Sequence, residues 1–376
     1  MNHHTQIFDI IILLGGIQGI IFSIYLWVKP FENRKASFFL SLFIISFSLN
    51  SIYNATEGLG IKEPLSLLSF SPLYCTLLII VSFHFFIHFL VNPKAKIDFR
   101  KWLLFIPYGL QLLFQVFCFL LHIFNKELIF DNFQVIFSIY NVFDLATLIF
   151  GVLILINAIL KVRKYDLNLK NNYAEISAFS FKWINTLLFF MFGIWILFAL
   201  PTVYELITKV PSNDYYYPMW ISTSILIYWI GYSAYTRRNR VVADLFIPEK
   251  QSKQTELSAK TEVYYHELIN LMNGEKPFLN PDLNLQMLAE KLDISSGYLS
   301  QIINRNEDKN FFDFINTYRV NTFKEMIGKD EYNHLSILGI AFEAGFKSKS
   351  TFNLSFKKIT GTTPSAFKKT LTVKKS

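Results

Sequence analysis

Over the first 236 positions, long apolar runs alternate with short polar ones. Stretches free of Asp, Glu, Lys and Arg cover 10–28, 36–56, 64–93, 102–125, 183–204 and 215–236. A seventh, 132–160, is broken only by Asp144. A helix needs about 20 apolar residues to cross a bilayer. The pattern therefore predicts a seven-helix transmembrane bundle over 1–236, with 36–56 the weakest span because it is rich in Ser and Asn.

After 236 the rhythm changes. Residues 241–260 turn from apolar to polar, with Pro248 as a breaker, and read as a juxtamembrane connection. Leu257, Val263, Leu268 and Leu271 then open a helix that should end at Asn273-Gly274. Leu285, Leu288, Ala289 and Leu292 form one apolar helical face, and Leu299, Ile302 and Ile303 form the next. Asp293-Ile294-Ser295 is the break between them: Asp293 accepts a left-handed turn, and Ser295 or Ser296 can cap the second helix. This is a helix-turn-helix pattern. It recurs. Ile337, Ile340 and Ala341 precede a turn at Gly345-Phe346, and Phe352 and Phe356 follow it. Ala341 to Gly345 repeats the spacing of Ala289 to Asp293. Phe314, Ile315, Tyr318, Phe323 and Met326 mark a long amphipathic helix between the copies. Gly361 should end the last reading helix, and Thr363-Pro364 should open a short closing one. The expected division is a transmembrane domain at 1–236, a juxtamembrane linker at 237–256, the paired units at 257–370 and a basic tail at 371–376.

Composition sharpens this division. The chain of 376 residues is 52% apolar and 17% charged, too oily for an ordinary soluble protein. Residues 237–376 carry 37 of the 64 charged side chains, so the boundary marks a change of solvent. Cys75 and Cys118 both lie in apolar runs, which excludes a disulfide framework. The N-terminal segment has no basic region and no small-residue cleavage site, so the first span is expected to stay uncleaved.

Lys and Arg between spans favour the cytoplasmic side. One set of loops, together with the segment after the last span, holds 15 of them, and the other set holds Lys62, Lys126 and Lys209 alone. The bias predicts a multi-pass protein of the inner (cytoplasmic) membrane, N-terminus outside and C-terminal region in the cytoplasm. Tyr215, Tyr216, Tyr217 and Trp220 suit the outer interface of the last span, and Tyr232 and Tyr235 the inner one.

Candidate chemistry is sparse. Asp144, with Asn141 one turn back, is the acid nearest mid-membrane and the first candidate for a signal-sensing site. His84 and His88 share a helix face without a third ligand nearby, so no metal site is expected. No zinc-protease, serine-hydrolase or phosphate-loop motif occurs, and neither enzyme activity nor a cofactor is expected. Residues 345–376 hold eight lysines and no acid, a charge pattern suited to phosphates.

The segments "LAEKLDISSGYLSQIIN", "FFDFINTYRV" and "IAFEAGFKSKSTFNLSFKKITGTTPSAFKK" resemble the DNA-binding domain of AraC/XylS-type transcriptional regulators over about 257–370. The resemblance implies two helix-turn-helix units joined by a long helix, each offering a recognition helix to adjacent major-groove segments. By position, the first helix would present Ser296, Gly297, Ser300, Gln301 and Asn304. The second would present Ser348, Lys349, Ser350, Thr351, Asn353 and Lys357, with Lys358 beside it for phosphate. Leu354 departs from the family, which often has Arg there. Seven spans replace the usual soluble sugar-binding domain. The expected protein is all-α, a membrane-embedded transcription regulator. Its expected partners are double-stranded promoter DNA, the lipid bilayer, RNA polymerase, a second copy of the chain in a homodimer, and an unidentified signal. A transporter or membrane enzyme with a regulatory DNA-binding tail is the alternative.

Overall fold

A computed structural model describes residues 3–30, 33–61, 71, 73–96, 98–176, 182–209, 213–236 and 258–375. The linker at 237–256, including Pro248, lies outside the described residues. Every regular element among the described residues is a helix, and one isolated antiparallel bridge pairs Tyr173 with Asn284. In chain order come α1 (His3–Val28), α2 (Arg34–Gly58), α3 (Thr76–Val91), α4 (Phe99–Trp102), α5 (Ile106–Phe124), α6 (Lys126–Asp131), α7 (Phe133–Asn172), α8 (Lys182–Thr208) and α9 (Tyr217–Thr236). The C-terminal region continues with α10 (Ser258–Gly274), α11 (Leu285–Lys291), α12 (Ser296–Glu307), α13 (Phe311–Met326), α14 (Ile337–Glu343), α15 (Lys349–Thr360) and α16 (Pro364–Lys375).

Two compact units result. One comprises Met1–Arg163 and Phe181–Leu245; the other comprises Lys164–Ser180 and Phe246–Ser376. Residues 164–176 thus lie between apolar helices in sequence but pack with the C-terminal unit.

In the first unit, five helices among the described residues are long and apolar enough to cross a membrane: Gln6–Val28, Arg34–Gly58, Phe99–Phe124, Phe133–Asn172 and Trp183–Thr208. The expected seven is not reached on length and composition. The apolar α3 is only 16 residues long and almost wholly buried, and the 20-residue α9 is diluted by Ser, Thr, Gly and Tyr. Helices pack here through small residues, hydrogen bonds and aromatic contacts. At Gly19 on α1 any Cβ would collide with Ser48 of α2. One turn on, the Ser41 hydroxyl donates to the Ser23 carbonyl at 2.8 Å and the Ser23 hydroxyl donates to the Ser41 carbonyl at 2.9 Å. Phe39 of α2 stacks on Phe85 and Phe89 of α3, with ring centroids 4.9 and 5.5 Å apart.

The C-terminal unit has two apolar cores that share one helix. Phe311, Phe314 and Ile315 of α13 pack with Leu268, Met272, Leu285, Leu288, Leu299 and Ile303. Val320 and Phe323, further along α13, pack with Ile340, Ala341, Phe346, Phe352 and Phe356. Each fully buried Leu, Ile or Phe is worth roughly 1.5–3 kcal/mol of transfer free energy. α13 therefore fuses the two helix pairs into one body.

Candidate nucleic-acid interface and bundle cavity

The two helix pairs are built by the same local chemistry. In the first, Asp293 turns the chain at φ 51°, and the Ile294 amide donates back to the Ala289 carbonyl at 3.1 Å. In the second, Gly345 turns at φ 93°, and the Phe346 amide donates to the Ala341 carbonyl, again at 3.1 Å. This is the closing bond of a helix that ends in a left-handed residue. Ala289 and Ala341 are 1% and 0% exposed, as a close helix crossing requires. Ser295 caps α12 by accepting from the Tyr298 amide at 3.3 Å, and Ser348 caps α15 by accepting from the Thr351 amide at 3.2 Å. Gly361 closes α15 at φ 75°, and Thr363 caps α16 through the Ala366 amide.

Arg319 of α13 holds the pairs in register. It is 0% exposed and donates through Nε to the Phe278 carbonyl at 2.7 Å and through Nη2 to the Asn280 carbonyl at 2.8 Å. Its guanidinium lies 5.9 Å from the centre of the Phe346 ring. Burial pulls its pKa down to about 10, against the opposing pull of Glu175 and Asp282, so it stays charged at neutral pH. Gly345 abuts the same 278–279 backbone so closely that any Cβ would strike the Phe278 carbonyl.

Residues 288–370 match the family model for a helix-turn-helix domain. The C-terminal region carries an AraC-type DNA-binding domain. No curated protein and no solved structure matches the chain. An AraC-type domain belongs to a regulatory family and not to an enzyme family, and it binds double-stranded DNA.

On α12 of the AraC-type domain, Gly297, Gln301 and Asn304 are exposed, and Ser296 and Ser300 are half-buried. The Asn304 amide donates to the Ser300 carbonyl at 2.8 Å. On α15, Lys349, Ser350, Asn353, Lys357 and Lys358 are exposed, and its cap Ser348 is half-buried. Lys358 is already engaged: its ammonium lies 2.7 and 2.8 Å from the two carboxylate oxygens of Asp313. Leu354 is 54% exposed, an apolar side chain on α15. Arg305, an exposed cation in the last turn of α12, escaped the sequence reading although its helical spacing from Gln301 was there to be counted.

Thr351 differs from the rest, being 2% exposed. Its hydroxyl donates to Glu175 Oε1 at 2.7 Å, and the Ser348 hydroxyl donates to Glu175 Oε2 at 3.0 Å. Glu175 belongs to the segment that follows α7, and that segment is threaded into the AraC-type domain. Ala174 is 0% exposed within the first core, its carbonyl accepts from Asn316 Nδ2 at 2.9 Å, and Tyr173 bridges to Asn284.

In the first unit several buried polar groups line a cavity of about 230 Å³. Asp144 and Asn141 both line it. Asp144 accepts a short hydrogen bond from the Tyr74 hydroxyl. Glu205 also lines it and accepts from the Tyr216 hydroxyl at 3.0 Å, and Glu57 is a further lining residue. Gln115 Nε2 fastens the Tyr74 carbonyl at 2.6 Å, while Gln111 Nε2 donates to Thr76, which meets Thr147 at 3.2 Å. Glu57 and Glu205 were not singled out from sequence, because polar residues at the ends of apolar runs are ordinary, and Tyr216 read only as an interface residue. His84 and His88 stack on each other at 6.5 Å, and His88 Nε2 lies 3.1 Å from the Lys101 ammonium.

Proposed function

We propose that this chain is a membrane-embedded, sequence-specific transcription regulator. Its bundle senses a small-molecule signal at the cavity around Asp144 and Asn141, and its C-terminal unit reads promoter DNA from the cytoplasm. The observation that carries the reading is the duplicated, Ser-capped helix pair on α13 within the family-matched region, where α12 and α15 bear Gln301, Asn304, Lys349, Asn353 and Lys357 on exposed positions. Apolar helices long enough to span a bilayer support the membrane location, and the 15-to-3 basic bias, counted over the seven apolar runs of the sequence, supports its direction. The N-terminus lies outside in this reading, and the chain works with RNA polymerase and as a homodimer.

The test is a selection from a random pool of DNA duplexes by the full chain in lipid nanodiscs. Enrichment of a site with two adjacent major-groove elements is the expected result. Binding should weaken steeply with salt, with a log–log slope of about −0.9 per phosphate contacted. A folded protein that enriches no sequence would refute sequence-specific reading.

A further inference from the structure

We propose that the strap formed by residues 173–176 is an autoinhibitory latch on α15. The proposal rests on the reading of promoter DNA by this domain and adds a device that regulates it. Recognition helices meet base edges with their N-terminal residues. Ser348 and Thr351 stand at that end of α15, and the AraC-type resemblance gives both positions to DNA. Their hydroxyls are already donated, Ser348 to Glu175 Oε2 at 3.0 Å and Thr351 to Glu175 Oε1 at 2.7 Å. Thr351 is 2% exposed, so its hydroxyl does not reach a base in this arrangement. Helix N-termini and the side chains around them are also usual contacts for DNA phosphates. The Glu175 carboxylate stands at that end instead, and it repels a phosphate that approaches.

The strap is held at three further points. Ala174 is buried in the first core, its carbonyl accepts from Asn316 Nδ2 at 2.9 Å, and Tyr173 bridges to Asn284, the N-cap of α11. It thus ties the first helix pair and α13 to the start of α15. The second helix pair, however, stands without it. The core around Val320, Phe323, Phe352 and Phe356 includes no residue of the strap. Ser348 caps α15 through the Thr351 amide, a bond that does not involve Glu175. Opening the latch therefore frees both hydroxyls and leaves α15 in place. The strap also lies outside the family-matched residues 288–370. It directly follows α7, whose first part, up to Arg163, belongs to the first unit, so a change there has a covalent route to the latch. A latch open about one-tenth of the time weakens apparent DNA affinity about tenfold.

The test uses the full chain in nanodiscs, with the random-pool duplex selection run on the parent, Glu175→Gln and Ala174→Asp. Glu175→Gln removes the carboxylate. Ala174→Asp keeps it and expels the strap, because an unpaired charge is costly in the first core. Each variant should bind the enriched duplex about tenfold more tightly than the parent. Without DNA, amide hydrogen exchange over 348–352 should rise while the protection of α13 is retained. The latch falls if the parent enriches a duplex that no variant with α13 intact binds more tightly. It falls if affinity rises without the rise in exchange over 348–352, since that gain is loss of charge alone. It also falls if both variants lose the protection of α13, because the strap is then a structural member of the domain. Enrichment by the variants where the parent enriches nothing supports it. If none of the three enriches a sequence, the reading of DNA fails and the latch with it, a result distinct from equal binding by parent and variants.

Discussion

The lysines of α15 have equal charge and unequal freedom. Lys357 is exposed at the end of α15, whereas Lys358 is held by both oxygens of Asp313. Using Lys358 on a phosphate would require that pair to part, and an exposed pair of this kind is worth at most about 1 kcal/mol. Lys357→Ala should therefore make the log–log salt slope shallower by about 0.9, and Lys358→Ala by less. Asp313→Ala, which releases Lys358, should tighten binding to all duplexes alike. Titrations of specific and random DNA at several salt concentrations check all three. Equal slopes for the two lysine variants would show that the Asp313 pair opens freely.

At the level of elements, the turn of the second helix pair is constrained twice over. Gly345 has a positive φ that other residues adopt with strain, and its Cα faces the 278–279 backbone that Arg319 clamps. Gly345→Ala should destabilise the C-terminal unit by more than about 1 kcal/mol, since both the backbone and the contact oppose the methyl group. Pulse proteolysis of the full chain in nanodiscs, read at sites in 311–360, measures this. Asp293 takes the same turn with a side chain, so Asp293→Gly should leave the unit intact or slightly more stable. The join between α10 and α12 adds a pH dependence. Burial alone would raise the Glu307 carboxyl, but the hydrogen bond from Tyr265 and the Lys309 ammonium outweigh it and hold its pKa below the ordinary value. A carboxyl lowered in the folded state stabilises above its unfolded pKa and stops doing so as pH falls through its folded pKa. Hydrogen-exchange protection of α10 should decline over that acid range, and Glu307→Gln should remove that part of the decline.

The whole molecule raises two questions, direction and relay. A reporter active only in the cytoplasm should work when fused after Arg240 or in 94–101, and fail after Lys126 or Lys209. Equal activity at all four sites would contradict the proposed orientation. Two stretches of chain connect the first unit with the AraC-type domain in sequence: the one after α9, which lies outside the described residues, and the strap after α7. If the latch carries the signal, about ten Gly/Ser residues inserted near Ser252 should leave the response intact. The same insertion between Asn172 and Tyr173 should abolish it. A promoter reporter in cells separates the two, and the reverse outcome would assign the relay to the last span. Side-by-side pairing of two copies would add avidity of roughly 10²–10⁴ through effective concentration.

Much of this was legible in order along the chain. The duplicated helix pair could be read because its determinants are local: a small residue, a left-handed turn four positions on, a capping serine and apolar residues at helical spacing. Ala289 to Asp293 and Ala341 to Gly345 form the same hydrogen-bonded turn that their spacing predicts. Apolar runs were equally legible, although five of the described helices are long and apolar enough to cross a membrane where runs of sequence suggested seven. Tertiary structure alone decided which distant groups meet. Asp144 joins Tyr74 and shares its cavity with Glu205 and Glu57, polar residues at span ends that no periodicity marks. Arg319 reads in sequence as one more charge on an amphipathic helix, yet it is buried because two backbone carbonyls and an aromatic face replace its water. Glu175 lies 173 and 176 positions from the hydroxyls it binds. Contacts between distant segments depend on how packed helices place their ends in space, and spacing along one segment carries no record of that.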